Sequence, residues 1–191
     1  MTPQNFARQM AEAQKAIDKF FESGAPRLVG ELAVSHFKEN FRKGGFVNNG
    51  LEKWKPTKRQ GVAAGAAGKY GPLLSSDDNL YRSLAYRPSV RKVTISTPVR
   101  YAAVHNDGGT VHPTVTPKMR KFAWRKYYEA GGGNSGQEDP PQATPWKQLA
   151  LTKKQKLSIN IPQRKFIGAS AELEKKINRL LQSHVDKILK R

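Results

Sequence analysis

Pro98-Val99-Arg100-Tyr101-Ala102-Ala103-Val104-His105-Asn106-Asp107-Gly108-Gly109 is answered some fifty residues later by Ile161-Pro162-Gln163-Arg164-Lys165-Phe166-Ile167-Gly168-Ala169-Ser170. Before Pro98, Lys92-Val93-Thr94-Ile95-Ser96 alternates in polarity, which predicts a strand with Val93 and Ile95 on one face. After Pro98, Tyr101 and His105 stand four apart, so a short turn or helix puts both on one face. Gly108-Gly109 then breaks that element and permits positive φ at a tight reversal into Val111. The second stretch mirrors the first. Leu157, Ile159 and Ile161 alternate with Ser158 and Asn160 as in a half-buried strand, Pro162 ends it, and Ser170 can N-cap a closing helix. The two punctuated junctions read as two ends of one sheet.

Working outward, Thr2-Pro3 supplies an N-cap and a first-turn proline. Phe6, Met10, Ala13, Ile17 and Phe20-Phe21 recur at helical spacing as far as Ser23-Gly24. A second helix is expected from Ala25 or Pro26 to about Arg42, with Leu28, Val29, Leu32, Ala33, Phe37 and Phe41 as its stripe and Gly44-Gly45 as its stop. His36 lies beside that stripe and reads as a half-buried structural histidine. Because Ser23-Gly24 separates the first helix's stripe from the rest, that helix is expected to pack on a neighbouring subunit. Asn48-Asn49-Gly50 reads as a turn, Ser76-Asp77-Asp78 as the start of a short helix, and Tyr86 to Ile95 as a hairpin turning at Arg87-Pro88-Ser89. Val111 to Val115, interrupted by Pro113, reads as an edge strand. Ser170 to Leu189 is the clearest helix, striped by Leu173, Ile177, Leu180, Leu181, Val185, Ile188 and Leu189.

Together these segments predict an α+β fold: an antiparallel sheet of about four strands against two long helices, with an extra N-terminal helix and long loops. At 191 residues the chain fits a single domain spanning 1–191. A flexible loop is expected at 57–72, where glycine and alanine show no period, and a basic, glycine-rich excursion at 117–150. Gly65-Ala66-Ala67-Gly68-Lys69-Tyr70 lacks the spacing of a phosphate-binding loop and the Ser or Thr after its lysine.

Charge bounds the partners. The formal net charge is +19, and residues 79–171 hold sixteen basic against four acidic side chains. Such a chain repels itself and attracts polyanions, either nucleic acid or acidic protein. With no cysteine, neither a disulfide nor a thiolate zinc site is available, and the four histidines lack metal-ligand spacing. No apolar run reaches the length of a membrane span and the N-terminus is not a signal peptide, so the expected compartment is the cytoplasm or a particle assembled there. Lys118-Met119-Arg120-Lys121-Phe122-Ala123-Trp124-Arg125-Lys126-Tyr127-Tyr128 interleaves cations with aromatics. That pattern suits phosphate contact and base stacking, and makes Lys118, Arg120, Lys121, Arg125 and Lys126 the candidate DNA or polyanion contacts. The reading that the pattern favours is nonetheless an amphipathic segment with Met119, Phe122 and Tyr127 packed down and its cations solvated. Neither a catalytic cluster nor a nucleophile motif is present, and His105-Asn106-Asp107 reads as a turn fixed by side-chain to backbone bonds. The chain is therefore not expected to be an enzyme or to hold a cofactor or metal.

The ordered set Trp54, Leu73-Leu74-Ser75 with Leu80 and Ser83-Leu84, Tyr101 to His105 with Gly108-Gly109, and Ile161 to Gly168 resembles the virion morphogenesis, or tail completion, proteins of tailed bacteriophages. The resemblance spans roughly residues 28 to 190, with departures near 61–68 and at about 117–150. It implies a structural head–tail connector subunit, forming a ring in the neck around the DNA channel of a virion assembled in the host cytoplasm. Six copies would match the usual tail symmetry and twelve the portal. The implied neighbours are head-completion or stopper, tail terminator and tail tube proteins, with genomic DNA in the channel and no membrane. Trp54, Tyr101, His105, Gly108, Gly109, Pro162, Arg164, Phe166 and Gly168 carry the family signature, with fold or interface roles. The rival from composition is a free nucleic-acid-binding or packaging protein, supported by charge but by no recognition motif.

Overall fold

The computed structural model describes residues 2–57, 60, 70–133, 136 and 138–190. The flexible loop expected at 57–72 and the pattern at 65–70 fall largely on residues outside the described ones. The chain divides into two compact units, one of residues 1–108 with 162–191, the other of residues 109–161.

The first unit begins with α1 (Pro3–Lys19), whose first-turn amide at Asn5 is capped by the Thr2 hydroxyl. A π-helical turn at Phe20–Gly24 carries the helix on into α2 (Ala25–Lys43), so Ser23-Gly24 widens the helix rather than ending it. Gly44 closes α2 at φ +64. Next come β1 (Gly45–Val47) and β2 (Leu51–Lys53), joined through the turn at Asn48-Asn49-Gly50. α3 (Asn79–Arg82), β3 (Ala85–Ser89), β4 (Lys92–Ser96) and α4 (Ala102–Asp107) follow. After the second unit the chain returns as an irregular segment, 162–170, and closes with α7 (Ala171–Leu189), N-capped by Ser170 onto Leu173. In the second unit β5 (Gly109–Val111) pairs antiparallel with β6 (Ile159–Ile161), and between them lie α5 (Pro117–Glu129) and α6 (Thr144–Leu151).

The fold is mixed helix and strand with small antiparallel sheets, but the strands do not merge into one sheet of about four. Among the described residues they form three separate two-stranded ribbons. Two of the ribbons have three-residue strands, too short to template a neighbour, and one of these lies in the other unit. In the longest ribbon, β3 carries Pro88, which is tolerated because every strand of a pair is an edge. The hairpin also turns later than expected. Ser89 pairs Lys92, so the turn is Val90-Arg91, and Arg91 adopts φ +53. Its amide donates to the Glu22 carbonyl (3.3 Å) and its guanidinium pairs Asp18 (3.2 Å), which holds an otherwise unfavourable backbone.

The core of the first unit gathers Ala33, Phe37 and Phe41 of α2, Trp54, Leu80, Leu84, Ala102, Phe166 and Leu173. Phe41 sits at its centre, with ring centroids 5.1 Å from Phe166 and 5.7 Å from Trp54. The hairpin lies so close on α2 that a Cβ at Gly30 would stand 2.2 Å from the Tyr86 ring. Only glycine permits that approach.

Candidate functional site

Two groups of residues stand out, one in each unit. In the first unit, segment 162–170 crosses the core without a strand partner among the described residues, so its backbone groups must be met largely by side chains. Asn106 of α4 accepts from the amides of both Phe166 (2.9 Å) and Ile167 (3.0 Å). Asn40 of α2 donates to the Phe166 carbonyl (3.1 Å) and accepts from the Val47 amide (3.1 Å). The Trp54 indole donates to the Lys165 carbonyl (2.9 Å), and the Arg164 amide to the His105 carbonyl (2.7 Å). Ser170 donates to the Val47 carbonyl (2.7 Å), while the Ala171 amide donates to Asn48 (2.9 Å). Elements distant in sequence are thus cross-linked through one strand-like segment.

Arg164 is buried, and its guanidinium donates to the carbonyls of Lys55 (3.0 Å) and Pro56 (3.4 Å). Burying a guanidinium is tolerable because its donors are met. Burial holds the His105 imidazole below its ordinary pKa, and the Arg164 charge pushes the same way. His105 packs edge-on to Tyr101 at 5.8 Å and accepts the Arg164 amide with its backbone carbonyl. Gly108 takes φ +75, and a Cβ there would stand 3.0 Å from the Gln163 amide nitrogen. The first unit therefore brings together Trp54, Tyr101, His105, Gly108, Pro162, Arg164, Phe166 and Gly168, whereas Gly109 opens β5 of the second. Asn40 and Ser170 were not singled out from sequence as site residues. Their signals were a polar residue between Phe37 and Phe41 on an apolar stripe, and a helix cap whose hydroxyl also has to donate.

In the second unit, the Thr116 hydroxyl caps α5 and Pro117 opens it. Ala123 and Tyr127 face inward. Lys118, Lys121 and Arg125 recur at three and four residues and stand exposed on the opposite side. Tyr128 joins them, 62% exposed and stacked on Trp124 at 6.1 Å. Phe122 is exposed rather than packed down, beneath the Arg125 guanidinium at 5.3 Å. Lys126 sits at the margin of this face and pairs with Glu129, which Arg125 also approaches at 3.4 Å.

Arg120 belongs elsewhere. Helical phase turns it away from that face, and its guanidinium donates to the Ala150 carbonyl (2.9 Å) in the last turn of α6. A cation there complements the exposed carbonyls of a helix C-terminus. The loop between the helices is clamped by Asp139, which accepts from Lys147 (2.6 Å) and from the Tyr127 hydroxyl. Those bonds hold the Asp139 carboxyl below its usual range, the Lys147 bond most. Lys153, Lys154 and Lys156 add an exposed cationic run before β6 that went unmarked, though three lysines in four residues is a plain signal.

This arrangement can bind a polyanion along α5 by charge and by an exposed aromatic face. Among the described residues, no group of three or more His, Cys, Asp or Glu could hold a metal ion, and no helix is long and apolar enough to cross a membrane. No curated protein and no solved structure matches the chain. The model of the phage virion morphogenesis family matches residues 26–186, from the start of α2 to the last turns of α7, and so takes in both the cross-linked segment and the basic helix. The chain belongs to the phage virion morphogenesis family.

Proposed function

We propose that, within the virion assembly role of its family, this chain is a head–tail connector or tail completion subunit that forms a ring in the phage neck around the DNA channel. The observation that supports this reading is the family match across residues 26–186. The chain acts by binding rather than catalysis. Six copies suit the symmetry of a tail and twelve that of a portal, and a head-to-tail contact that closes generates either. Its neighbours are head-completion, tail terminator and tail tube proteins. The α5 face of the second unit meets the genome or an acidic neighbour.

Antibody labelling of purified particles tests this. Label at the head–tail junction is expected, with unjoined heads and tails when the gene is removed. Intact particles formed without the protein would overturn it.

The basic and aromatic face of α5 favours a second reading, a free nucleic-acid-binding or packaging protein. Reversing Lys118, Lys121 and Arg125 to glutamate separates the two. The second reading expects lost DNA affinity and a salt dependence shallower by roughly 2–3 in log–log slope. Unchanged DNA affinity with failed particle assembly would leave the connector.

A further inference from the structure

Helix α1 lies outside the region matched by the family, and none of its side chains is buried. Its C-terminal end is anchored: Asp18 pairs with Arg91, and Phe20, next in chain, stacks on His184 at 5.3 Å. Its N-terminal half presents Phe6, 56% exposed, and Met10, 50% exposed, in line with Ala13 and Ile17. At 3.6 residues per turn, all five charged residues of the helix (Arg8, Glu12, Lys15, Asp18 and Lys19) fall on the other side of the cylinder. In a chain of net charge +19, this is an apolar half-helix free of charge.

The first unit also carries a vacant apolar groove of about 330 Å³, lined chiefly by Phe21, Pro26, Val29, Val93, Ile177 and Leu181. An enclosed void of about 150 Å³ can hold a benzene ring, so the groove has room for a phenylalanine ring and a thioether. The chain cannot fill its own groove with Phe6. α1 passes through the π-helical turn into α2 without a break, which keeps Phe6 about 22 Å along the helix from Phe21.

We propose that α1 is a self-assembly arm, and that Phe6 and Met10 of one copy seat in the Phe21–Val29–Leu181 groove of the next. A second copy is the occupant that fits. Two chains of this charge repel wherever their cations meet, so a contact between copies has to be made through surfaces that exclude charge. The arm does so on one side. On the other the groove's floor is apolar, with Arg91 at its rim paired to Asp18 and Lys92 beside it, a cation that the uncharged arm does not oppose with one of its own. Arm and groove are different patches of one chain, so the contact is heterologous and propagates head to tail until it closes. A 17-residue helix is about 25 Å long. That reaches only the low end of the ~1,000 Å² a specific interface needs, so a pair is weak and closure supplies the stability. The inference rests on the ring reading only for that closure.

The chain has no cysteine, so disulfide cross-linking reads the contact directly. Met10→Cys and Val29→Cys chains, oxidised as a mixture, are expected to give a covalent dimer, and the double variant a ladder. Phe6→Asp, at an exposed site that leaves the fold intact by circular dichroism, is expected to weaken association at least tenfold in sedimentation. Dimers from Met10→Cys alone would mean that two arms pair with each other and would overturn the proposal. A monomer at every concentration with no cross-link would overturn it too. The neck reading fails separately: a ladder without label at the head–tail junction sinks that reading alone, and label there without a ladder sinks only this one.

Discussion

Segment 162–170, with Arg164-Lys165-Phe166, and helix α5 both set cations beside aromatic side chains, and the fold treats them in opposite ways. In the segment, Arg164 and Phe166 are buried, and the backbone around them is bonded to Asn40, Asn106 and Trp54. On α5, Lys118, Lys121 and Arg125 are left in water with Phe122 and Tyr128 beside them. The difference follows from backbone accounting. A helix satisfies its own amides and can keep one face for a partner, whereas an unpaired extended segment needs partners along its length. Damage to the segment should therefore appear in stability, and damage to the α5 face in binding.

The largest effect should come from Phe166→Ala. Phe166 is 1% exposed and packs on Phe41, so the substitution leaves a void at the centre of the first unit. A loss of about 3–5 kcal/mol is expected in denaturant unfolding. Trp54 is the tryptophan of the first unit, so its fluorescence with Trp124 and Trp146 replaced by phenylalanine reports on that unit. A loss under about 1 kcal/mol would mean the segment is not part of the core.

Asn106→Ala comes next. It removes no large apolar surface but strips the acceptor from two amides, Phe166 and Ile167. About 2–3 kcal/mol is expected, since unmet buried donors carry the full desolvation penalty. Asn106→Asp keeps an acceptor and should recover part of that loss. Equal losses in both variants would show that acceptor geometry is not what matters.

A pH effect is expected from His36, which is 3% exposed on α2. Neither ring nitrogen makes a well-formed hydrogen bond, apart from a weak approach to the Val47 backbone. Burial holds its pKa below the ordinary 6.5, with Lys176 pushing the same way and Glu172 and Glu39 opposing. The unfolded chain therefore binds the proton more readily than the folded one. Stability from this group is full above pH 6.5 and is lost as the pH falls below that value. His105 adds in the same direction. Melting between pH 8 and 5 should show a fall below 6.5 that His36→Gln makes shallower. A parallel slope in the variant would assign the effect elsewhere.

The helices were legible because their signals are local. The stripe at Leu173, Ile177 and Leu181, and the Ser170 cap, predict α7 almost to the residue. The hairpin was legible as a pair but not in its turn. Pro88 suggested the reversal, whereas Arg91 makes it with help from Asp18 and Glu22, some seventy residues earlier in the chain. The single sheet was not legible, because alternation marks a strand but does not say which strand it pairs with. The signature residues could be grouped by order along the chain, yet what joins them, Asn40 and Asn106 reaching the backbone of 166–167, depends on side chains 60 to 126 residues away. On α5 the failure was different. Spacing alone puts Arg120 out of phase with Lys118, Lys121 and Arg125, but a run of cations invites counting them as one patch.

That last point makes the smallest prediction the sharpest test of the comparison. Arg120 and Lys121 are adjacent and equally charged, so a purely electrostatic helix would treat them alike. Arg120 is half-buried and donates to the Ala150 carbonyl, while Lys121 stands in solvent. Arg120→Ala should cost about 1–1.5 kcal/mol, by leaving the last turn of α6 without its donor. Lys121→Ala should stay within about 0.5 kcal/mol of the parent, as surface substitutions do. In DNA or heparin binding the order should reverse, with Lys121→Ala lowering the log–log salt slope by roughly 0.9 and Arg120→Ala leaving it nearly unchanged. Tryptophan fluorescence of Trp124 and Trp146, with Trp54 replaced by phenylalanine, reads the stability arm in the second unit. If both variants lose binding equally and neither loses stability, Arg120 faces the polyanion with the others, and helical phase does not divide the cations of α5.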